Sequence, residues 1–256
     1  MNLAGVSETT LWTLHNRASE AKRPDRLITD PMAVRLFDTI DYDYSKFGPP
    51  TQYHPLRAVA FDRQIRAYLS DHPKAAVVAL AEGLQTTFWR LDNGGIRWYS
   101  IDLPPVMLVR RRLLPTDDRI VSLAHSAFDL DWIAEIDSTD GVFITVEGLF
   151  MYFDVEQIRT LIGACAQRFP GGRMMFDNHP PWMSRRARHG FRLSPTYTTP
   201  PMPFALSYQD CQDLTSIPGV ASAIDVDLPG GRGIWRLLDQ KNTSQTRPIL
   251  TLLTFA

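Results

Sequence analysis

The sequence predicts an α/β fold in which a mainly parallel sheet is doubly wound, with helices on both faces. From Ala75 onward, short apolar runs alternate with helical patterns, and repeated strand and helix units of this size build a parallel sheet. The residues before Ala75 show helical patterns alone. A chain of 256 residues that is 44% hydrophobic is long enough to bury a large core. We therefore expect a single domain, 1–256, with an added helical segment at its N-terminus.

Three helices are expected in the N-terminal segment, residues 1–72. The first covers residues 6–21 and opens with Ser7, which is a good N-cap residue. The second begins where Asp30 precedes a proline, a pairing that favours the first turn of a helix. The third covers residues 54–69, where apolar positions recur at helical spacing and predict one buried face.

The core that should bind a cofactor, residues 73–178, is expected to alternate strands with helices. Strands are predicted at residues 75–80, 97–102, 119–124, 141–147 and 172–177. Helices are predicted between them at residues 86–92, 105–114, 131–136 and 155–169.

The last third of the chain departs from this alternation. Residues 179–206 are rich in proline and aromatic residues and read as irregular, either a lid or substrate wall or a connection packed on the surface. Residues 207–256 should close the fold with a helix at 207–217 and strands at 220–228 and 249–255. These two strands are expected to form an antiparallel hairpin at the edge of the sheet.

Composition excludes several classes of function. The formal net charge is -1, and the short basic run 109–114 is expected on the solvent face of a helix, so nucleic acid is not an expected partner. No apolar stretch is long enough to predict a membrane span, and the start lacks the pattern of a secretory signal. The two cysteines are too few for a disulfide framework or a zinc site. A cytoplasmic location is expected, and the oligomeric state stays open.

Polar residues and glycines follow four successive predicted strands. In open α/β sheets, ligands bind beyond the carboxyl ends of the strands, where strand order reverses. The groups in question are the turn 81–83, Asp102, the segment 125–132, and Glu147 with Gly148. Asp102 lies close to the spacing at which an acidic residue reaches a nucleotide ribose. Read separately, Asp102 could simply cap the next helix, and Glu147 could be a structural hydrogen-bonding residue.

The opening turn indicates which cofactor suits the site. It contains one glycine, Gly83, and it places Glu82 where a dinucleotide would bring its pyrophosphate. A carboxylate repels that anion but tolerates S-adenosylmethionine, which carries a sulfonium and an ammonium group. An NAD-dependent oxidoreductase is therefore the less favoured alternative.

Six blocks in order resemble the leucine carboxyl methyltransferase superfamily, and most of all its bacterial branch of polyketide carboxyl O-methyltransferases. The blocks are residues 6–34, 56–65, 97–114, 125–132, 146–153 ("VEGLFMYF") and 168–177 ("RFPGGRMMFD"). The resemblance implies an S-adenosylmethionine-dependent O-methyltransferase of the class I type, with a seven-stranded sheet. Its acceptor would be a small, polyketide-like molecule that offers a carboxylate or a hydroxyl.

Positions carried over from the resemblance imply a set of cofactor-binding residues. Arg57 would pair with the methionine carboxylate, a role that suits a guanidinium. The turn of Ala81, Glu82 and Gly83 would pass beside the methionyl and ribose groups, and Asp102, with Leu103, would hold the ribose hydroxyls. The adenine would lie near Ser126, Ala127, Phe128 and Asp129. Glu147, with Gly148, would face the methionine ammonium.

Catalysis depends on the acceptor oxygen. A carboxylate is already ionised near neutral pH, whereas a phenol or alcohol benefits from a general base. Candidate bases are His54, His125, His179, Tyr53 and Tyr152, of which Tyr152 is the first to test.

The opening turn departs from the family pattern Leu-Gly-x-Gly-x-Asp-Thr-Arg. Ala81, Gln85 and Thr87 stand where the family has its first glycine, its aspartate and its arginine. A second alternative is therefore that this chain is a family member that binds the cofactor but has lost or altered its catalysis.

Overall fold

The seven strands form one sheet in the order β3-β2-β1-β4-β5-β7-β6. The computed structural model describes residues 3–233, 235–236 and 247–256. The strands are β1 (Ala76–Leu80), β2 (Arg97–Ile101), β3 (Ile120–Leu123), β4 (Val142–Val146), β5 (Arg173–Asn178), β6 (Val220–Asp225) and β7 (Ile249–Phe255). The first five pair in parallel, and β7 runs antiparallel between β5 and β6.

This arrangement confirms the predicted doubly wound sheet and the antiparallel hairpin at its edge. The parts of the predicted regions that fall on residues 1–2, 234 and 237–246 lie outside the described residues. The division into one domain with four regions stays a prediction.

Eight α-helices flank the sheet within the described residues. They are α1 (Thr9–Ala21), α2 (Pro31–Thr39), α3 (Tyr53–Asp71), α4 (Thr87–Leu91), α5 (Pro104–Leu113), α6 (Val155–Arg168), α7 (Pro181–Ala187) and α8 (Tyr208–Asp213). Short 3-10 turns occur among the described residues at Gly5–Glu8, Tyr44–Phe47, Leu130–Glu135, Phe150–Tyr152 and Leu214–Ser216.

The central strands are buried on both faces, and alternate residues pack against different helices. Val78 and Ile144 belong to a core that includes the apolar face of α6. Val77 and Phe143 belong to a second core, which is closed by α3 and α4. Burial on both faces explains why these strands read as continuous apolar runs. A third cluster joins α1 and α2 to Leu84, so the N-terminal helices rest on the turn that follows β1.

Two predicted helix features are wrong. Ser7 is not an N-cap, because it lies inside a 3-10 turn, Gly5–Glu8, and the extended residue that precedes the turn is Ala4. The predicted helix at 131–136 is the 3-10 turn Leu130–Glu135, which buries Trp132 and Ile133. The cap at Asp30 is confirmed, because its carboxylate accepts a hydrogen bond from the Ala33 amide.

The Pro-rich segment 179–206 is irregular as predicted, except for α7. An isolated bridge between Arg192 and Thr198 is its other regular feature. The side chains of Trp182 and Phe191 remain partly exposed.

Candidate active site

The register of the sheet brings the predicted strand-end residues together. Leu80 pairs with Ile101 on one side and with Val146 on the other, so the residues that follow these three leave the sheet at one level. Here strand order reverses, between β1 and β4. A cavity of about 250 Å³ opens at this point. Every residue predicted to bind the cofactor lines it except Asp129, and Tyr152 lines it as well.

Asp129 lies beside this cofactor cavity and outside its wall. Its side chain is about half exposed, and Oδ2 is 3.4 Å from Nδ1 of His125. The 3-10 turn that begins at Leu130 directs the chain away from the cavity, while Ser126 to Phe128 remain in the wall.

Asp102 organises the opening turn through two backbone hydrogen bonds. Its Oδ2 accepts from the Gly83 amide at 2.7 Å, and its Oδ1 accepts from the Leu103 amide at 2.7 Å. Burial raises the pKa of the Asp102 carboxyl, and these two donors oppose the rise. Each carboxylate oxygen retains a lone-pair site toward the cavity, because an oxygen can accept more than one hydrogen bond.

Gly83 is required by both its conformation and its neighbours. It has φ +60, and a Cβ at this position would collide with the hydroxyl of Thr10. Thr10 belongs to α1, and its Oγ1 accepts from the Leu84 amide at 2.5 Å. The first helix therefore sits directly on the opening turn and forms one wall of the cofactor cavity, together with Thr9 and Thr13.

A buried arginine fixes α1 in this position. Arg17 is fully buried and donates to Asp30 at 2.8 Å, to the Thr86 hydroxyl at 2.9 Å and to the Leu84 carbonyl at 2.7 Å. These contacts join the first helix, the second helix and the opening turn into one hydrogen-bonded unit. The added helical segment is therefore part of the site.

Glu82 lines the cofactor cavity, and its carboxylate is paired inside the protein. Its Oε2 lies 2.7 Å from Nη2 of Arg110, and its Oε1 accepts from the Trp98 indole at 3.2 Å. Burial raises the pKa of Glu82, and the Arg110 cation opposes the rise. The carboxylate therefore has a counter-ion within the protein, and its effect on an anionic cofactor stays a prediction.

Arg110 itself corrects the prediction made for the basic run. The basic run 109–114 was expected on the solvent face of α5, yet Arg110 is 4% exposed. Besides pairing with Glu82, its Nη1 donates to the carbonyls of Gly83 and Gln85 at 2.8 and 3.0 Å. Arg110 therefore fixes the backbone of the opening turn through its side chain.

Arg57 stands between two buried carboxylates. Its Nε donates to Glu147 Oε2 at 3.2 Å, and its Nη1 donates to Asp177 Oδ2 at 2.8 Å. Asp177 also accepts from the Tyr53 hydroxyl at 3.0 Å and from the Gly148 amide at 2.5 Å. Gly148 (φ +71) allows the Arg57 side chain to lie this close to the backbone, because a Cβ at position 148 would press on the guanidinium.

Asp177 is a site residue that the sequence reading missed. It lies near the end of β5 and is fully buried, so the strand-end rule that selected Asp102 and Glu147 could also have selected it.

Gln85 occupies the position of the family aspartate and faces the same group of charges. Its Nε2 donates to Glu147 Oε2 at 3.1 Å. Its Oε1 is buried and has no partner among the described residues, although the side chain lines the cofactor cavity. The amide therefore stabilises Glu147 and keeps an acceptor oxygen available.

Ala81 adopts a backbone conformation that favours glycine. With φ +48, it is the one non-glycine residue with positive φ among the described residues. We expect Ala81→Gly to raise the free energy of unfolding by up to about 1 kcal/mol, since relief of the left-handed conformation exceeds the added chain entropy. Urea denaturation measures the change. The control is Ala79→Gly in the buried strand β1, which should destabilise; equal destabilisation by both variants would contradict the expectation.

A second cavity of about 360 Å³ adjoins the first. Its wall is mainly apolar and aromatic and includes Trp12 from the N-terminal helix, Met151 from the 3-10 turn Phe150–Tyr152, and Trp182 and Phe191 from the segment 179–206. The two cavities share five wall residues: Thr9, Thr13, Arg57, Gly148 and Tyr152. Two ligands bound in them would therefore meet at Arg57 and Tyr152.

Comparison with known proteins identifies the family. The sequence model described as leucine carboxyl methyltransferase matches residues 10–166, which is more than half of the chain. The chain belongs to the leucine carboxyl methyltransferase family. Membership makes it an S-adenosylmethionine-dependent methyltransferase, and S-adenosylmethionine is its cofactor. The NAD-dependent alternative is thereby excluded.

Individual relatives match more of the chain than the family model does. The tetracenomycin polyketide synthesis O-methyltransferase TcmP of Streptomyces glaucescens is 28% identical over 256 residues, covering 97% of this chain and 89% of TcmP. A putative S-adenosyl-L-methionine-dependent methyltransferase of Parafrankia sp. is 31% identical, covering 68% of this chain and 64% of the relative.

Solved structures confirm the methyltransferase fold of this family member. A putative methyltransferase from Thermobifida fusca superposes with a TM-score of 0.61 at 14% identity, over 98% of this chain and 94% of that one. The N-methyltransferase NodS from Bradyrhizobium japonicum, solved with S-adenosyl-l-homocysteine, superposes with a TM-score of 0.51 at 16% identity, over 88% and 96% of the two chains. None of the described helices is long and apolar enough to cross a membrane.

Proposed function

We propose that this methyltransferase transfers a methyl group to an oxygen of a small, aromatic, polyketide-like acceptor. The observation that carries the proposal is the pair of adjoining cavities, one charged and one apolar, with a common wall at Arg57 and Tyr152. S-adenosylmethionine, when bound, supplies an electrophilic methyl group on a sulfonium centre. Transfer then requires mainly that the acceptor is aligned and that water is excluded.

The charged end of the cofactor cavity fits the zwitterionic methionine group. Arg57 uses Nε and Nη1 within the protein, and its Nη2 makes no hydrogen bond to the described residues, so it can donate to the methionine carboxylate. Glu147 and the unpartnered Oε1 of Gln85 can both accept from the methionine ammonium. Opposite charges held at adjacent positions match the two charges of an α-amino acid.

The other end of the cavity fits the nucleoside. Asp102 retains acceptor sites for the two ribose hydroxyls, at the spacing from Gly83 that is typical of a ribose-binding carboxylate. Ser126, Ala127 and Phe128 then flank the adenine.

The second cavity provides the acceptor site. Its aromatic and methionine side chains suit a planar, apolar molecule. Similarity to TcmP, which is described as an O-methyltransferase of polyketide synthesis, supports an acceptor of this class. Burial raises the pKa of Tyr152 to about 12, so its phenol stays protonated near neutral pH. We assign Tyr152 the role of donating a hydrogen bond at the boundary of the two cavities and not that of a base.

Removal of the Asp102 carboxylate tests the cofactor site. We expect Asp102→Ala to weaken S-adenosylmethionine binding by tenfold or more in titration calorimetry, which corresponds to ~1.4 kcal/mol. The matched control is Asp131→Asn, which removes an exposed charge from the turn that follows the adenine segment and should leave the affinity unchanged.

Two outcomes would oppose the proposal. Wild-type affinity in Asp102→Ala would contradict the assignment of the ribose site. Cofactor binding without methylation of any member of a panel of aromatic acids and phenols would favour the alternative in which the altered turn has changed or abolished catalysis.

A further inference from the structure

The acceptor cavity contains two cationic side chains among the described residues of its wall, and both are paired. Arg57 is held by Glu147 and Asp177, and its remaining nitrogen would bind the methionine carboxylate. Arg247 is 2% exposed and lies 2.6 Å from Asp225 through Nη2. Among the described wall residues, an acceptor carboxylate would therefore find no counter-ion of its own, and burial without one is costly. A neutral acceptor group is better suited to this cavity.

His54 presents a hydrogen-bond donor to this cavity. Its Nδ1 lies 2.5 Å from Nδ2 of Asn16, and the orientation of that amide is set because Asn16 Oδ1 accepts from the Thr51 amide. Burial, together with the charges of Arg57 and Arg17, holds the pKa of His54 well below its ordinary value, so the ring is neutral. Nδ1 is then the acceptor and the proton resides on Nε2. The ring is thus poorly placed to take a proton.

His179 differs because the described residues do not fix its tautomer. It follows β5, is 6% exposed and lines the acceptor cavity, and its Nδ1 is buried with no hydrogen-bond partner among the described residues. The charged and titratable groups that act on it are Asp177, Arg57 and His54. Burial and Arg57 lower the pKa of His179, while Asp177 opposes this, so the neutral ring keeps a basic lone pair near neutral pH.

We propose that His179 is the general base for an aromatic hydroxyl acceptor, and that the enzyme methylates phenols in preference to carboxylates. The inference rests on the proposed function, whose two cavities it uses. The phenolic O–H bond breaks and its proton passes to Nε2 of the His179 imidazole, because Nδ1 is buried. The oxygen forms a bond to the methyl carbon, and the carbon–sulfur bond breaks with its electron pair left on sulfur. The imidazolium then releases its proton to water.

Matched acceptors test the choice of oxygen. 1-Naphthol and 1-naphthoate present a hydroxyl and a carboxylate on the same ring system, so a difference between them reports the reacting group. We expect methylation of 1-naphthol at a rate at least tenfold above that of 1-naphthoate. The reverse preference would overturn the inference and leave O-methylation intact. Failure of the cofactor-loaded protein to bind either ring would overturn the inference together with the aromatic acceptor of the proposed function.

Variants of the two histidines test the base. His179→Gln is expected to lower the rate with 1-naphthol by about 10²-fold or more, the range of general-base catalysis. The loss should shrink with 4-nitrophenol, because a more acidic phenol needs less help to ionise. His54→Gln should cause a smaller loss that does not depend on phenol acidity. Equal losses across the phenols in His179→Gln would indicate a structural role and overturn the inference.

A binding measurement provides a readout that does not depend on turnover. In protein loaded with S-adenosylhomocysteine, wild type should increase the phenolate absorbance of bound 4-nitrophenol near pH 6, and His179→Gln and His179→Asn should not. Titration calorimetry with S-adenosylmethionine checks that both variants keep the cofactor site. A failure of the His179 assignment is therefore distinguishable from a failure of the proposed function. An unchanged absorbance shift in both variants would overturn the assignment of His179.

Discussion

Arg57→Met is expected to lower the free energy of unfolding by about 3–5 kcal/mol, the usual cost of removing one member of a buried ion pair. The arginine is 3% exposed and faces two carboxylates, Glu147 and Asp177, of which the second is fully buried. Burial raises the pKa of Glu147, Asp177 adds to this rise, and Arg57 is the main charge that opposes it. Loss of the cation leaves both carboxylates without their principal counter-charge.

Chemical denaturation measures this loss, and α3 provides a matched control. Arg63→Met lies on the same helix with an exposed side chain, and it should change the stability by less than about 0.5 kcal/mol. Adding Asp177→Asn to Arg57→Met should recover part of the stability, because the double variant removes one of the two carboxylates left without a counter-ion. If Arg57→Met and Arg63→Met had equal effects, the buried ion-pair network would contribute nothing to stability.

Arg110→Met is expected to be the second most damaging substitution, with a loss of about 3–5 kcal/mol. The substitution leaves the buried carboxylate of Glu82 without a counter-ion and the carbonyls of Gly83 and Gln85 without their hydrogen-bond donor. The same turn forms part of the cofactor cavity, so S-adenosylmethionine binding should weaken along with stability. Thermal unfolding with and without the cofactor measures both effects.

A neighbour on α5 provides the control for this prediction. Arg112→Met removes an exposed arginine from the same helix and should be nearly neutral. Adding Glu82→Gln to Arg110→Met should restore stability, since a neutral amide costs less to bury than an unpaired carboxylate. Absence of any restoration would show that the hydrogen bonds to the turn carbonyls, and not the ion pair, account for the loss.

The sequence was sufficient to predict the sheet and much of the cavity. Parallel strands in register deliver the residues after their carboxyl ends to one level, so Asp102 and Glu147 could be placed by counting. The same rule covers Asp177, whose omission was an incomplete use of the pattern. The pairing of Asp177 with Arg57 could not be predicted from the sequence, because it joins residues 120 positions apart.

Contacts between side chains explain the remaining differences. Arg110 follows Val106 and Met107 on one face of α5, and this helical spacing could have indicated that it is buried. Its partner Glu82 could not have been found in this way, because a charged residue in a turn gives no periodic signal. The three N-terminal helices were predicted, but their contact with the opening turn depends on the Arg17 hydrogen bonds, which local sequence does not encode.

The shared wall of the two cavities has a thermodynamic consequence. Arg57 and Tyr152 border both, so a ligand that orders these side chains in one cavity alters the wall of the other. Linkage then requires reciprocity: whatever factor the cofactor applies to the affinity for the acceptor, the acceptor applies to the affinity for the cofactor. A positive coupling of 1–3 kcal/mol, the ~5–150-fold range common between linked sites, would weaken binding of each ligand by that factor whenever the other cavity is empty.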